Sequence, residues 1–371
     1  MRNGRYRNPS ESLPDAAVIL SASEEGARRI SAKTLGTLFI ILLAVPVSPT
    51  ASATQTNHPA TYREVTDEIG RTIRIPKSIH RVVSLAPSLT ETVYALGAQD
   101  LLVGDTDYCD YPPEAQDKPK VGGTKNPNLE AIVALHPDLV LVTKNLNRLE
   151  TVAALEELGI PSYATDPHTV DAIIASTEHL ATLLGASESG ASLTTDLQRQ
   201  LFDLQERLTN SSLTPVLFVV WTQPLISIGR DTFIADALRH AGAVSIIDSA
   251  QNWPQVNLEE VVRLQPGFII FVESHSGAAP QSGDALVDVP GWRLLHALRE
   301  HHYATINDAI NRPAPRLISE IQDLARQLHP EAFVAKPDAE RNRQITPPNV
   351  RRRTARSSLS CSIHRETACA L

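Results

Sequence analysis

Residues 61–75 (TYREVTDEIGRTIRI) alternate apolar and polar positions around Gly70, the period-two pattern of a small β-hairpin. Short apolar runs follow at 81–85 (RVVSL), 101–104 (LLVG), 139–142 (LVLV) and 163–165 (YAT). Runs that are continuously apolar, rather than alternating, belong to strands covered on both faces. Residues 89–96 have helical spacing and stop at Gly97. The scheme then recurs, with strands at 216–220 (VLFVV), 268–272 (FIIFV) and 303–306 (YATI) and a helix at 232–240. Between the halves, 179–184 close one helix and 187–210 form a longer one, in which Leu197, Leu201, Leu204 and Leu208 make one apolar stripe. Some 20 helical residues reach about 30 Å, the width of a lobe, so this helix predicts a stiff connection. The pattern as a whole predicts an α/β protein of two Rossmann-like lobes with parallel sheets, joined by a long backbone helix, with a ligand cleft between the lobes.

An internal repeat supports the two lobes. Residues 128–137 read NLEAIVALHP, and residues 257–266 read NLEEVVRLQP, with six of ten positions identical. Each copy leads into an apolar strand. Asn before an acidic first turn is a general helix-capping recipe, but the shared Leu135/Leu264 and Pro137/Pro266 go beyond capping. The organisation predicted is a leader (1–53), an N-terminal α/β lobe (54–168), linking helices (169–212), a C-terminal α/β lobe (213–335) and a disordered basic tail (336–371).

The formal charge of -8 conceals an asymmetry. Both ends are basic, whereas the 282 residues between 53 and 336 hold 20 basic and 35 acidic side chains. An acidic body argues against a nucleic-acid partner. Arg28, Arg29 and Lys33 precede an apolar run at 35–45 and an Ala51-Ser52-Ala53 site, which is the layout of a secretory signal peptide. The apolar run is too short to span a bilayer. No Cys follows it, so no lipobox is expected. The reading is a soluble, exported protein. Cys109, Cys361 and Cys369 are too few for a disulfide framework or a zinc cluster, although the last two could pair in the tail.

No hydrolase elbow surrounds Ser84 or Ser88, and Gly122-Gly123 lacks the lysine pattern of a phosphate loop. No enzyme is expected, and no cofactor. A metal-dependent enzyme or zinc receptor would have to use His168, His275 and Asp308, the one plausible ligand set. Binding has better support. Ligands of open α/β sheets sit outside the carboxyl ends of strands, and aromatic residues gather there. Tyr108 follows the 101–104 strand, Trp221 follows 216–220, and Trp253 precedes the second repeat. Asp308 and Arg312 follow 303–306. Each ring either faces the cleft or fills the core; facing the cleft, they suit a large, flat, partly apolar ligand.

At this point residues 62–330 resemble the substrate-binding proteins of bacterial importers of the cobalamin/iron-siderophore type, built on a helical backbone. The resemblance rests on RVVSLAPSLTETVYALGA (81–98), VGDTDYCDYPPEAQ (103–116), NLEAIVALHPDLVLV (128–142), WPQVNLEEVVRLQP (253–266) and INDAINRPAPRLI (306–318). DYPPEAQ together with WPQV favours the cobalamin-binding subgroup. The resemblance implies that Tyr108, Trp253, Asp308 and Arg312, with Trp221, face a corrinoid, and that Glu130 and Glu259 dock on a permease. The chain departs from the subgroup at Thr124-Lys125 and Thr143, where further tryptophans are found, and it cannot form a second-lobe disulfide. The implied function is a periplasmic receptor, monomeric, that delivers cobalamin to the transmembrane permease dimer and ATPase of an ABC importer. An iron-siderophore or haem carrier of the same fold is the alternative.

Overall fold

Two four-stranded parallel sheets, each covered by helices on both faces, carry the molecule in the computed structural model, which describes residues 61–273 and 283–334. The expected leader, His275 and the tail with Cys361 and Cys369 lie outside the described residues. The predicted hairpin is β1 (Tyr62–Thr66) with β2 (Thr72–Pro76), paired antiparallel. The first sheet contains β3 (Val82–Ser84), β4 (Leu102–Gly104), β5 (Leu139–Thr143) and β6 (Ser162–Thr165) in the order β4-β3-β5-β6. Helices α1 (Pro87–Ala95), α2 (Leu129–Ala134) and α3 (Leu149–Glu157) alternate with these strands.

The second lobe reproduces the order. Its strands β7 (Thr214–Val219), β10 (Ala243–Ser245), β11 (Phe268–Val272) and β12 (Tyr303–Ile306) run β10-β7-β11-β12, with a small antiparallel hairpin of β8 (Trp221–Thr222) and β9 (Leu225–Ile226) between β7 and β10. Helices α6 (Phe233–His240), α7 (Leu258–Leu264), α8 (Gly283–Leu286), α9 (His296–Arg299), α10 (Leu317–Leu328) and α11 (Pro330–Phe333) complete it. The repeat copies form α2 and α7, each preceding the third strand of its sheet. They match even in backbone strain, because His136 (φ 44°) and Gln265 (φ 48°) both adopt the left-handed conformation before a proline. That conformation costs an L-residue about 1–2 kcal/mol, so the surrounding turns must hold it.

Alternation within each strand splits every lobe core in two. In β5, Leu139 and Leu141 join one cluster and Val140 and Val142 the other. In β7, Val216 and Phe218 face α10 and the linking helix Val170–Leu184, whereas Leu217 and Val219 face α7 and Trp292. Both faces of these strands are therefore dry, as their unbroken apolar runs predicted.

Two helices join the lobes. Helix α4 (Val170–Leu184) begins at the N-cap Thr169, whose Oγ1 accepts from Ala172 N at 3.1 Å, and ends at Gly185 in the left-handed region (φ 76°). Its start (Val170, Ile173, Ile174) packs in the second-lobe core and its end (Leu180, Leu183, Leu184) in the first. The expected long helix is α5 (Ser187–Leu208), which runs back along α4 and buries Leu197, Leu201 and Leu204 in the second lobe. A paired crossing of this kind resists bending more than a loop would. Among the described residues, no helix is long and apolar enough to cross a membrane.

Candidate functional site

In the first lobe, the wall that meets the second lobe, through Asp110 and Arg312, is the loop from 105 to 128. It begins with Asp105, whose carboxyl is wholly buried. Lys120 Nζ donates to Asp105 Oδ1 at 2.7 Å and also to the carbonyls of Ala115 (3.0 Å) and Cys109 (3.2 Å), stitching the loop that carries Tyr108. Burial is the dominant effect on Asp105 and outweighs the lysine, so its pKa is pushed up to about 6. Asn147 braces the same wall. Its Nδ2 donates to Leu85 O (2.9 Å) and Thr124 O (2.8 Å), and its Oδ1 accepts from Thr143 N (2.7 Å), joining three strand-end loops. Asn147 escaped the sequence reading because its partners are scattered over 62 positions.

The second-lobe wall is a small antiparallel rim. Trp221 pairs with Ile226 across the β8–β9 hairpin, and Ile226 bridges Gln255 on the other side. The segment after β10 is laced to β9 by Val256 N→Leu225 O (2.9 Å), Ser227 N→Pro254 O (3.0 Å) and Gly229 N→Asn252 O (3.0 Å). These bonds fix Trp253. A Cβ at Gly229 would lie 1.9 Å from Gln251 O, so only glycine permits this approach. Gly229→Ala is expected to displace the Trp253 segment, cost about 1–3 kcal/mol of stability and weaken ligand binding. Denaturant titration and calorimetry check it, and unchanged values for both would show that the segment relaxes freely.

The lobes face each other across a cavity of about 100 Å³ lined from the first lobe by residues such as Ser88, Thr143 and His168, and from the second by Phe233, Trp253 and Asn311. Of the five residues expected at the ligand, only Trp253 lines this cavity. Tyr108, Trp221 and Trp253 expose 62%, 40% and 49% of their surface, so none of the three is a core ring. Asn311 has a buried Oδ1 with no hydrogen-bond partner among the described residues.

Arg312 is engaged within the protein. Its Nη1 donates to Glu91 Oε1 (2.8 Å) and Asp110 Oδ1 (2.6 Å), and its Nη2 to Asp308 Oδ2 (3.1 Å). Arg316 binds Glu91 through two bonds of 3.0 Å and lies 3.8 Å over the Tyr111 ring. Glu91 and Asp110 belong to the first lobe, Asp308 and both arginines to the second, so this cluster ties the lobes together. Burial tends to lower the Arg312 pKa, but the hydrogen bonds it donates to Asp110 and Glu91 and the charge of Asp308 raise it on balance. It stays ionised. Glu91, Asp110 and Arg316 were not singled out in the sequence, since the bonding partners lie 202 to 225 positions apart.

His168 Nε2 lies 3.1 Å from Asp166 Oδ1, Asp308 pairs with Arg312, and no three metal-ligating side chains converge among the described residues. Glu130 and Glu259 are exposed in the first turns of α2 and α7. Their N-caps are alike: Asn128 Oδ1 accepts from Ala131 N (3.0 Å) and Asn257 Oδ1 from Glu259 N (2.9 Å).

Two α/β lobes, a stiff helical connection and a cleft rimmed by strand-end loops define a solute receptor. This chain belongs to the periplasmic binding protein family, whose pattern it matches over residues 82–309. Members of this family are the substrate-binding components of ABC importers. The chain is 34% identical over 253 residues to a vitamin B12-binding protein of Pectobacterium carotovorum, an alignment covering 67% of this chain and 88% of that one. Among solved structures it resembles the periplasmic vitamin B12-binding protein of Vibrio cholerae, with a TM-score of 0.60 and 27% identity, covering 69% of this chain and 99% of that one. It shares the fold of a periplasmic haem-binding protein from Roseiflexus, with a TM-score of 0.61 at 23% identity over 69% of this chain and all of that one.

Proposed function

We propose that this protein captures a corrinoid, such as cobalamin, in the periplasm and presents it to the permease dimer and ATPase of an importer. The exposure of Tyr108 and Trp253 on loops and of Trp221 at the start of β8, on both lobes, carries this reading. Large rings left exposed at strand ends suit a flat macrocycle, which gains stacking as well as burial. The cavity is smaller than the roughly 300–1,000 Å³ of a pocket that encloses a drug-sized ligand, so a corrinoid would lie across the mouth between the rings. The names of the relatives support the same ligand class. Titration of the purified protein with cyanocobalamin, a ferric siderophore and haem tests it. One-to-one binding of cyanocobalamin alone is expected. Binding of haem alone would favour the second reading, for which His168 beside Asp166 at the cavity offers an imidazole held by a carboxylate.

Trp253→Ala is expected to weaken corrinoid binding by about 0.5–1.5 kcal/mol beyond the lost contact area, with the melting temperature nearly unchanged because the ring is half exposed. Calorimetry beside a thermal melt checks this, and lost stability with intact affinity would return the ring to a packing role.

Glu130 and Glu259 would engage two equivalent basic sockets on the permease dimer, one from each lobe. Either alanine substitution is expected to lower cobalamin uptake several-fold while leaving the Kd for the ligand unchanged. Normal uptake by both variants would leave these glutamates only their favourable place at a helix N-terminus.

A further inference from the structure

We infer that the protein carries a second small-molecule site, apart from the cleft, at the seam where both lobes meet the connecting helix α5. The site takes a neutral aromatic molecule bearing a hydrogen-bond acceptor. This inference does not depend on the macrocycle reading above.

The seam encloses a pocket of about 440 Å³, within the roughly 300–1,000 Å³ usual for small-molecule sites. It shares no lining residue with the cleft cavity. Tyr94 of α1 and Tyr111 of the 105–128 loop come from the first lobe, Leu193 and Leu197 from α5, and Arg316 and Ile318 from the second lobe. Leu193 packs against the cores of both lobes, so the pocket lies where the two cores converge. Tyrosine rings beside aliphatic side chains suit a flat ring. The polar groups narrow the choice. Both oxygens of Glu91 are taken, Oε1 by Arg312 (2.8 Å) and Arg316 (3.0 Å), and Oε2 by Arg316 (3.0 Å). Gln200 Oε1 already accepts from Gln322 Nε2 at 3.3 Å. What the lining still offers, among the described residues, is chiefly donors: Nε2 of Gln200, Nη1 of Arg316 and the phenol hydroxyls. An acceptor on the ligand answers them. Charge decides the rest. The two ionised lining residues, Glu91 and Arg316, are paired with each other. A cation would meet the guanidinium and find no other carboxylate on the lining. An anion would meet the field around Tyr94, whose phenol is held above its ordinary pKa first by burial and then by the charges of Asp105, Glu114 and Asp117. A neutral ligand meets neither penalty.

The experiment is calorimetric titration of the full-length protein at neutral pH with three probes that share one ring: tryptophol (neutral), indole-3-acetate (anion) and tryptamine (cation). Tryptophol is expected to bind one-to-one and at least about tenfold more tightly than either ion, because a charge entering a largely apolar pocket finds no counter-charge there. Ala95→Trp and Ser319→Trp each add a bulky ring to the pocket from a lining position that is exposed. Each should abolish tryptophol binding while melting near the wild-type temperature, and saturating cyanocobalamin should leave the tryptophol Kd of the wild type unchanged. Should one variant fail to fold, the other decides. Tryptophol binding that survives in a folded variant, or that cyanocobalamin displaces, puts the probe elsewhere and overturns the inference. Equal binding of either ion overturns it too. So does absence of binding to the wild type, whether the pocket is empty or covered by another part of this chain or by a second copy. If cyanocobalamin does not bind, the corrinoid reading fails by itself and the two variants alone decide the second site.

Discussion

Replacing Glu91 with alanine is expected to cost about 3–5 kcal/mol of folding stability, the loss typical when one partner of a buried ion pair is removed. The argument is local. Glu91 is the most buried member of the cluster and is bonded by two arginines from the opposite lobe, Arg312 at 2.8 Å and Arg316 through two bonds of 3.0 Å. Alanine strips Arg316 of its only carboxylate bonds among the described residues and leaves Arg312, itself largely buried, with Asp110 and Asp308. Glu91→Gln should lose less, since an amide oxygen still accepts. Urea unfolding of the wild type and both variants measures the difference. A loss below about 1 kcal/mol for alanine, the range of surface pairs, would mean that solvent screens the cluster.

The second large effect concerns pH. Asp105 has its pKa pushed up to about 6 by burial, above the ordinary carboxylate value near 3.9. The folded state therefore holds this proton more tightly than the unfolded chain. Its contribution is fully present below about pH 4 and is lost as pH rises through 6. With about 1.36 kcal/mol per pKa unit, the wild type should lose roughly 3 kcal/mol relative to Asp105→Asn across that window. Above it the difference should level off. Denaturation of both proteins at several pH values between 4 and 7 checks this, and parallel stability curves would show that Lys120 compensates the buried charge fully. Because Lys120 also holds the carbonyls of Cys109 and Ala115, the same titration bears on the loop that presents Tyr108.

Strands were legible wherever hydrophobicity ran unbroken: 268–272 and 303–306 coincide with β11 and β12, and the long helix with α5. Several elements have no clear signal in the sequence or only a partial one. Strand β10 has only three residues, and α4 was recognised only at its end. Helix α10 was passed over although Leu317, Ile318, Ile321, Leu324 and Ala325 form its buried stripe. The sequence pattern puts Trp221 in a loop after the strand, whereas it begins β8. That hairpin is held by pairing with a segment some 30 positions away.

Chain-local physics thus determined the two lobes, their equivalence through the repeat, and the aromatic residues at strand ends. Each depends on spacing within a few residues: continuous apolar runs, asparagine caps, and rings next to turns. Tertiary structure alone decided what Arg312 touches. From the sequence it stood as a cation awaiting a ligand, because Glu91 lies 221 positions away in a helix whose spacing marks it only as one polar residue among others. Folding brings that carboxylate and two others onto the guanidinium, and so determines how the lobes are held.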